Sequence, residues 1–222
     1  MSILIKAALI IAALVLVAFA YAVFSVIRLE KPAYLVVYES GGIEYRQYDP
    51  YLVSETVIEK ADNYRAAGNE GFRRLFRYIS GGNADQTKVS MTVPVAQTES
   101  SEKIAMTAPV QQTEAAEGWT VAFMLPSEYT LETAPQPTDS RVNIRAVPGK
   151  LTAVLRYSGR WTESNYDKKR TMLLEALQQA SITPIGEFQS AQYAPPATPG
   201  FLRRNEVLVE VDRLPDGYSG PE

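Results

Sequence analysis

Phe72-Arg73-Arg74-Leu75-Phe76-Arg77-Tyr78-Ile79-Ser80-Gly81-Gly82 sets Phe72, Leu75, Phe76 and Ile79 at the i, i+3, i+4, i+7 spacing of one helix face, with a glycine pair as its stop. Asp62 and Asn63 precede it as candidate N-caps. A second helix is predicted from about Ser164 to Ala180, where Leu173, Leu174 and Leu177 form a stripe. Ser164 with Asp167 resembles a capping box, and Pro184 closes the segment. A shift of 98 residues lays Leu75, Phe76 and Ile79 over Leu173, Leu174 and Leu177. The region of Arg46, ending in Asp49-Pro50, falls over Arg145 to Pro148 with a slip of one residue. The chain therefore reads as two related halves.

Around the helices lie β-prone runs: Tyr34 to Tyr38, Ile43 to Tyr48, Tyr51 to Val53, Trp119 to Leu125, Val142 to Val147, Leu151 to Tyr157 and Val207 to Val211. Gly41-Gly42 and Asp49-Pro50 mark tight turns between the first three. The order strands, helix, strands, helix, strand predicts an α+β domain in which each half contributes strands and one helix. A shorter repeat sits in the middle. Lys88-Val-Ser-Met91-Thr92-Val-Pro94-Val95-Ala-Gln97-Thr98 recurs as Lys103-Ile-Ala-Met106-Thr107-Ala-Pro109-Val110-Gln-Gln112-Thr113, matching at seven of eleven positions. With a proline at equivalent places, the two segments are expected to pair as neighbouring, edge-like strands.

The chain has 222 residues with 22 Lys and Arg against 25 Asp and Glu, a net charge of −3 with no run of like charge. That distribution gives no footprint for nucleic acid. There is no histidine and no cysteine, which excludes a Ser-His-Asp triad, a cysteine nucleophile, a His-ligated metal and a cysteine zinc cluster.

From Ala7 to Ile27 the sequence is uncharged over 21 residues. At about 1.5 Å per residue it spans roughly 32 Å, the thickness of a bilayer core. It reads as a single-pass signal-anchor over residues 1–29, holding a domain of residues 30–213 beside the membrane on its extracytoplasmic side. A secretory signal cleaved near Ala18-Phe19-Ala20 is the alternative. Residues 214–222, rich in Pro and Gly, read as a disordered tail.

Several motifs go further than composition: Lys103-Ile-Ala-Met106-Thr107-Ala-Pro109-Val110, Phe123-Met-Leu-Pro126-Ser-Glu-Tyr129, Arg156-Tyr-Ser-Gly159, Tyr193-Ala-Pro195-Pro196 and Arg203-Arg204-Asn205-Glu206-Val207. Tyr45-Arg46-Gln47-Tyr48-Asp49-Pro50 accompanies them near the start. From about residue 34 to 212 the chain resembles the SOUL haem-binding family. The resemblance implies a twisted, barrel-like fold of antiparallel sheets from two related halves, each with a flanking helix, similar to bacterial effector-binding domains. It also implies binding of haem or another tetrapyrrole in a cleft beside the first helix. In some members an axial histidine has been proposed next to the tyrosine that Tyr48 matches; Gln47 stands there in this chain.

Candidate site residues follow. Without histidine, the ligand types left for haem iron are a Tyr phenolate, a Met thioether or a Lys amine. Tyr48 is the candidate phenolate, with a tyrosine packed across the sheet as the other reading. Met91 and Met106, equivalent in the short repeat, are soft ligands or an apolar floor, or else core methionines. Phe72, Leu75 and Phe76 line a tetrapyrrole cleft, or a core. Arg77, with Arg73 and Arg74, lies off that stripe and suits propionates, or forms a solvated face. The expected function is non-enzymatic: a membrane-tethered carrier or buffer of a tetrapyrrole. The alternatives are a binder of lipophilic cations that uses Glu206 at a barrel mouth, and a hydrolase in which a carboxylate activates water.

Overall fold

The structure is a computed structural model that describes residues 5, 10, 29–100, 118–194 and 198–215. The chain divides into two compact units, Met1–Glu30 and Lys31–Glu222. In the first, Ile5 and Ile10 are helical; the rest of the apolar stretch 7–27 lies outside the described residues. No helix among the described residues is long and apolar enough to cross a membrane.

The second unit runs β1 Tyr34–Ser40, β2 Ile43–Tyr48, β3 Tyr51–Ile58, α1 Tyr64–Ile79, β4 Val95–Ser100, β5 Gly118–Met124, β6 Val142–Val147, β7 Lys150–Tyr157, α2 Glu163–Gln179, β8 Pro184–Gln192, a single 3-10 turn Gly200–Leu202 and β9 Asn205–Val211. Gly41 and Gly42, at φ +60 and +78, make the two-residue turn between β1 and β2, a backbone that favours glycine. Asn63 caps α1 by accepting from the Ala66 N–H. Thr162, rather than Ser164, caps α2 by accepting from the Asn165 N–H.

All nine strands join one antiparallel sheet in the order β1-β2-β7-β9-β8-β4-β5-β3-β6. Setting β1 aside, exchanging β2 with β6, β3 with β7, β4 with β8 and β5 with β9 returns the same order read from the other end. The duplication is thus a property of the topology. The barrel-like expectation needs correction, because the sheet is open, with β1 and β6 as its two edges. A register shift between Val36 and Tyr38 bends β1, a common way of keeping an edge strand from further pairing.

Two strand assignments also change. β4 is central, paired with both β5 and β8, so it is not an edge strand; Pro94 sits one residue before it and removes no donor from the ladder. Its repeat partner, Lys103 to Thr113, lies outside the described residues. β8 was not expected at all: Pro184, read as the end of a helix, opens a strand whose register slips between Ile185 and Gln189.

Each helix covers its own half of one sheet face. Leu75, Tyr78 and Ile79 of α1 pack with Val121, Phe123 and Val142. Leu173 and Leu177 of α2 pack with Tyr45, Ala153, Val207 and Val209, and Leu214 packs against the same group. Burying a leucine fully contributes about 2 kcal/mol, so Leu75, Leu173 and Leu177, all at 0% exposure, anchor both helices. The halves meet where Tyr64 of α1 stacks on Tyr166 of α2, ring centroids 5.5 Å apart.

Candidate functional site

Two places in the domain gather charged side chains. The first is a groove of about 640 Å³ beside α1, lined by Val57 and Ile58 from the end of β3, the connecting residues Glu59 to Asp62, Ala66, Glu70, Arg73 and Arg74 of α1, and Arg141. That volume lies within the roughly 300–1,000 Å³ common for ligand pockets. A second concavity, about 180 Å³ between β8 and β9 near Lys150 and Glu187, is too small for a large planar ligand.

Strand pairing builds the groove. The register Thr56 to Val142 brings Arg141, just before β6, opposite Val57 at the end of β3. Arg74 is anchored by donating to the Val57 carbonyl at 3.2 Å and to Glu70 at 2.9 Å. Arg73 bonds the other Glu70 oxygen at 2.7 Å, and Arg141 bonds Asp139 at 2.7 Å. Hydrogen bonds from Arg74 pull the Glu70 carboxyl below its usual range, and those from Arg141 do the same to Asp139. Because the Arg73 and Arg141 pairs are exposed, they are weakly held, and a ligand carboxylate can take over either guanidinium at little cost.

The second place lies on the sheet face away from the helices. Side chains alternate along β2, so Ile43 and Tyr45 enter the α2 core while Glu44, Arg46 and Tyr48 point to the opposite face. There Arg46 donates to both oxygens of Glu206, at 2.9 and 3.0 Å, and to Glu44 at 2.8 Å. Arg204 donates to Glu206 at 2.6 Å and Tyr193 donates at 2.8 Å. Arg46 and Glu206 are both at 0% exposure. Burial drives the Glu206 carboxyl upward, but hydrogen bonds and charge from Arg46 and Arg204 outweigh it, and the group ends lowered. Glu206 is therefore an ionised acceptor with its capacity filled. It is neither a proton-shuttling base nor an open charge for a cationic ligand.

The site candidates from the sequence do not assemble into one cleft. Tyr48 is buried and accepts from Arg46 at 3.0 Å; burial pushes its phenol up to about 12, with Arg46 opposing. Leu75 is core. Phe72 and Phe76 stack at 5.8 Å, with Phe72 half-buried and Phe76 48% exposed. By helical geometry they occupy the flank of α1 opposite Glu70 and Arg74. Met91 packs half-buried at the margin of the α1 core, and Arg77 is exposed without lining the groove. Met106 lies outside the described residues. Neither Lys60 nor Arg141 is marked by a motif: Lys60 lies in the connection from β3 to α1, and only the pairing of β3 with β6, 86 residues apart at Thr56 and Val142, brings Arg141 to the groove. Among the described residues, no group of three or more acidic side chains could hold a metal ion.

The family model described as SOUL heme-binding protein matches residues 29–210. The chain belongs to this family. Among its relatives, heme-binding protein 1 of Mus musculus is 24% identical over 175 residues, which is 78% of this chain and 84% of the mouse protein. The fold is shared more widely than the sequence. The C-terminal domain of EcmrR aligns with TM-score 0.56 at 5% identity, over 78% of this chain and 98% of that domain. A hydrolase from Listeria innocua aligns with TM-score 0.50 at 10% identity, over 77% and 91%. At such identities these two likenesses concern the fold alone.

Proposed function

We propose that this SOUL-family protein binds a tetrapyrrole in the groove beside α1 and serves, without catalysis, as its carrier or buffer at a membrane. The observation that carries the reading is the groove itself: apolar walls from Val57, Ile58, Ala61 and Ala66, rimmed by the cations Lys60, Arg73, Arg74 and Arg141. This combination suits a flat apolar ring with two carboxylates. The fit to the iron is different. The groove presents no Tyr, Met, His or Cys, and the Tyr48 hydroxyl is engaged by Arg46 in the buried cluster on the other sheet face. Arg73 and Arg141 would hold propionates while the plate lies against the apolar wall; of the ligand types open to this chain the groove holds one lysine amine, Lys60, which would pair with a carboxylate on the rim and leave the iron without a bond to the protein.

The membrane part rests on the uncharged stretch from Ala7 to Ile27, which would tether the domain where tetrapyrroles partition, on the extracytoplasmic side. The non-enzymatic part is supported by Glu206, whose carboxylate is fully occupied by Arg46, Arg204 and Tyr193. The test is an absorption titration of the full chain with hemin and with metal-free protoporphyrin. Saturable binding at about one equivalent is expected, with dissociation constants for the two within about threefold. Hemin binding tighter by a factor of a hundred or more, with a ligated Soret spectrum, would show an axial ligand and contradict the groove reading.

A further inference from the structure

Phe201 and Leu202, in the 3-10 turn just before β9, are 78% and 54% exposed, and Phe201 is the most exposed of the large hydrophobic side chains described. The turn is rigidly seated. Gly159 donates its N–H to the Gly200 carbonyl at 2.9 Å, and Leu202 and Arg203 donate to Pro199 and Gly200. Arg203 stacks on the Trp161 ring at 4.2 Å and donates to the Thr198 carbonyl at 2.8 Å, while Trp161 donates to Asn205 at 2.7 Å. An aromatic and an aliphatic side chain are thus held out in water by an ordered base.

The surroundings of this tip are cationic. Arg160 and Arg65 are exposed, and both lie close enough to Arg203 for their charge, after burial, to lower its affinity for a proton. Arg204 follows directly and reaches Tyr34, the first residue of β1, at 3.5 Å. The first strand of the domain therefore begins within side-chain reach of the same loop. A projecting apolar pair, a neighbouring tryptophan and a collar of arginines match the charge and polarity profile of an anionic lipid surface, with phosphates outside and acyl chains beneath.

We propose that the Phe201-Leu202 turn, with Arg65, Arg160 and Arg203, is a membrane contact that inserts into the headgroup region of anionic phospholipid bilayers. This contact does not depend on the tetrapyrrole reading. It would orient the domain on the bilayer, where a tether alone leaves it free to turn.

The absence of native cysteine allows a single label. The full chain carrying Leu202→Cys with an environment-sensitive fluorophore is reconstituted into vesicles of phosphatidylcholine alone or mixed with phosphatidylserine. Ser140→Cys, exposed on a different loop, serves as control. The expected result is a blue-shifted label, quenched from within the bilayer, on phosphatidylserine vesicles at low salt. The label at residue 140 stays in water on both vesicles. An arginine near an anionic surface strengthens binding roughly fivefold, so Arg65→Glu with Arg160→Glu should weaken the contact by roughly 25-fold or more. Circular dichroism checks that the doubly reversed chain keeps its fold. A label at 202 that reads water on both vesicle types would overturn the proposal. So would a blue shift that persists in detergent, which marks a protein contact, or one indifferent to phosphatidylserine and to charge reversal.

Discussion

At Glu206, five hydrogen bonds from Arg46, Arg204 and Tyr193 converge on one buried carboxylate. Removing its charge leaves Arg46 buried with only Glu44 to oppose it. Breaking a buried pair from one side costs about 3–5 kcal/mol, so Glu206→Gln should lower the urea midpoint by that equivalent at neutral pH. The same pair gives an acid limb. The folded carboxyl is lowered, so its contribution is present above the ordinary carboxylate value and fades as pH falls through the lowered one. Little of this was legible. Arg204 is two residues from Glu206 along the chain, but Arg46 is 160 residues away and meets it only because β2 and β9 flank β7. Tyr48 likewise reads from the sequence as an iron phenolate or a tyrosine packed across the sheet, and its bond from Arg46 shows only in the fold.

The two helices were readable because period 3.6 survives in Leu75, Ile79, Leu173 and Leu177, all of which reach the core. Phe76 shows where the pattern overreaches, since the sheet covers a narrower strip of α1 than the apolar stripe offers. What seats α1 is glycine. A Cβ on Gly71 would overlap the Val121 side chain of β5, whereas one on Gly68 would press on the oxygen, at 2.8 Å, of the buried Gln97 amide, whose nitrogen donates to the Tyr64 carbonyl. Gly71→Ala should therefore destabilise the domain by about 1–3 kcal/mol in thermal or urea unfolding. Gly68→Ala should cost less than Gly71→Ala, because a helix-propensity gain of up to about 1 kcal/mol partly offsets the shift of Gln97. Strands were less legible than helices. β8 contains Gly186 at φ +69 and a register slip, which break the alternation that marks a strand, and β4 reads as mostly polar Val-Ala-Gln-Thr-Glu-Ser.

Across the molecule, the duplicated order of strands, foreseen from a 98-residue shift, produces one open sheet with a helix over each half. Closure into a barrel could not be read from the chain, because periodicity says which residues face a core and not whether the end strands meet. Tyrosines distributed through this sheet and its helices set an alkaline limit. Burial raises Tyr48 and Tyr78 to about 12, and Tyr193 well above its usual value. A raised phenol contributes stability that is full below its unfolded value near 10 and is lost as pH climbs through the folded one. Equilibrium unfolding should thus hold level up to about pH 10 and decline between 10 and 12, with tyrosinate absorbance rising in the same cooperative step.

The central claim, that a tetrapyrrole lies in the groove of α1 and not at Tyr48, is tested most directly by titrating three forms of the full chain with hemin: wild type, Arg73→Glu with Arg141→Glu, and Tyr48→Phe. If each propionate pairs with one guanidinium, reversing both charges should weaken binding by roughly a hundredfold, at about 1.5 kcal/mol or more for each charged hydrogen bond lost. Tyr48→Phe should leave the Soret position unchanged. A Soret band that shifts or vanishes in Tyr48→Phe while the doubly reversed form binds as tightly as wild type would contradict the account.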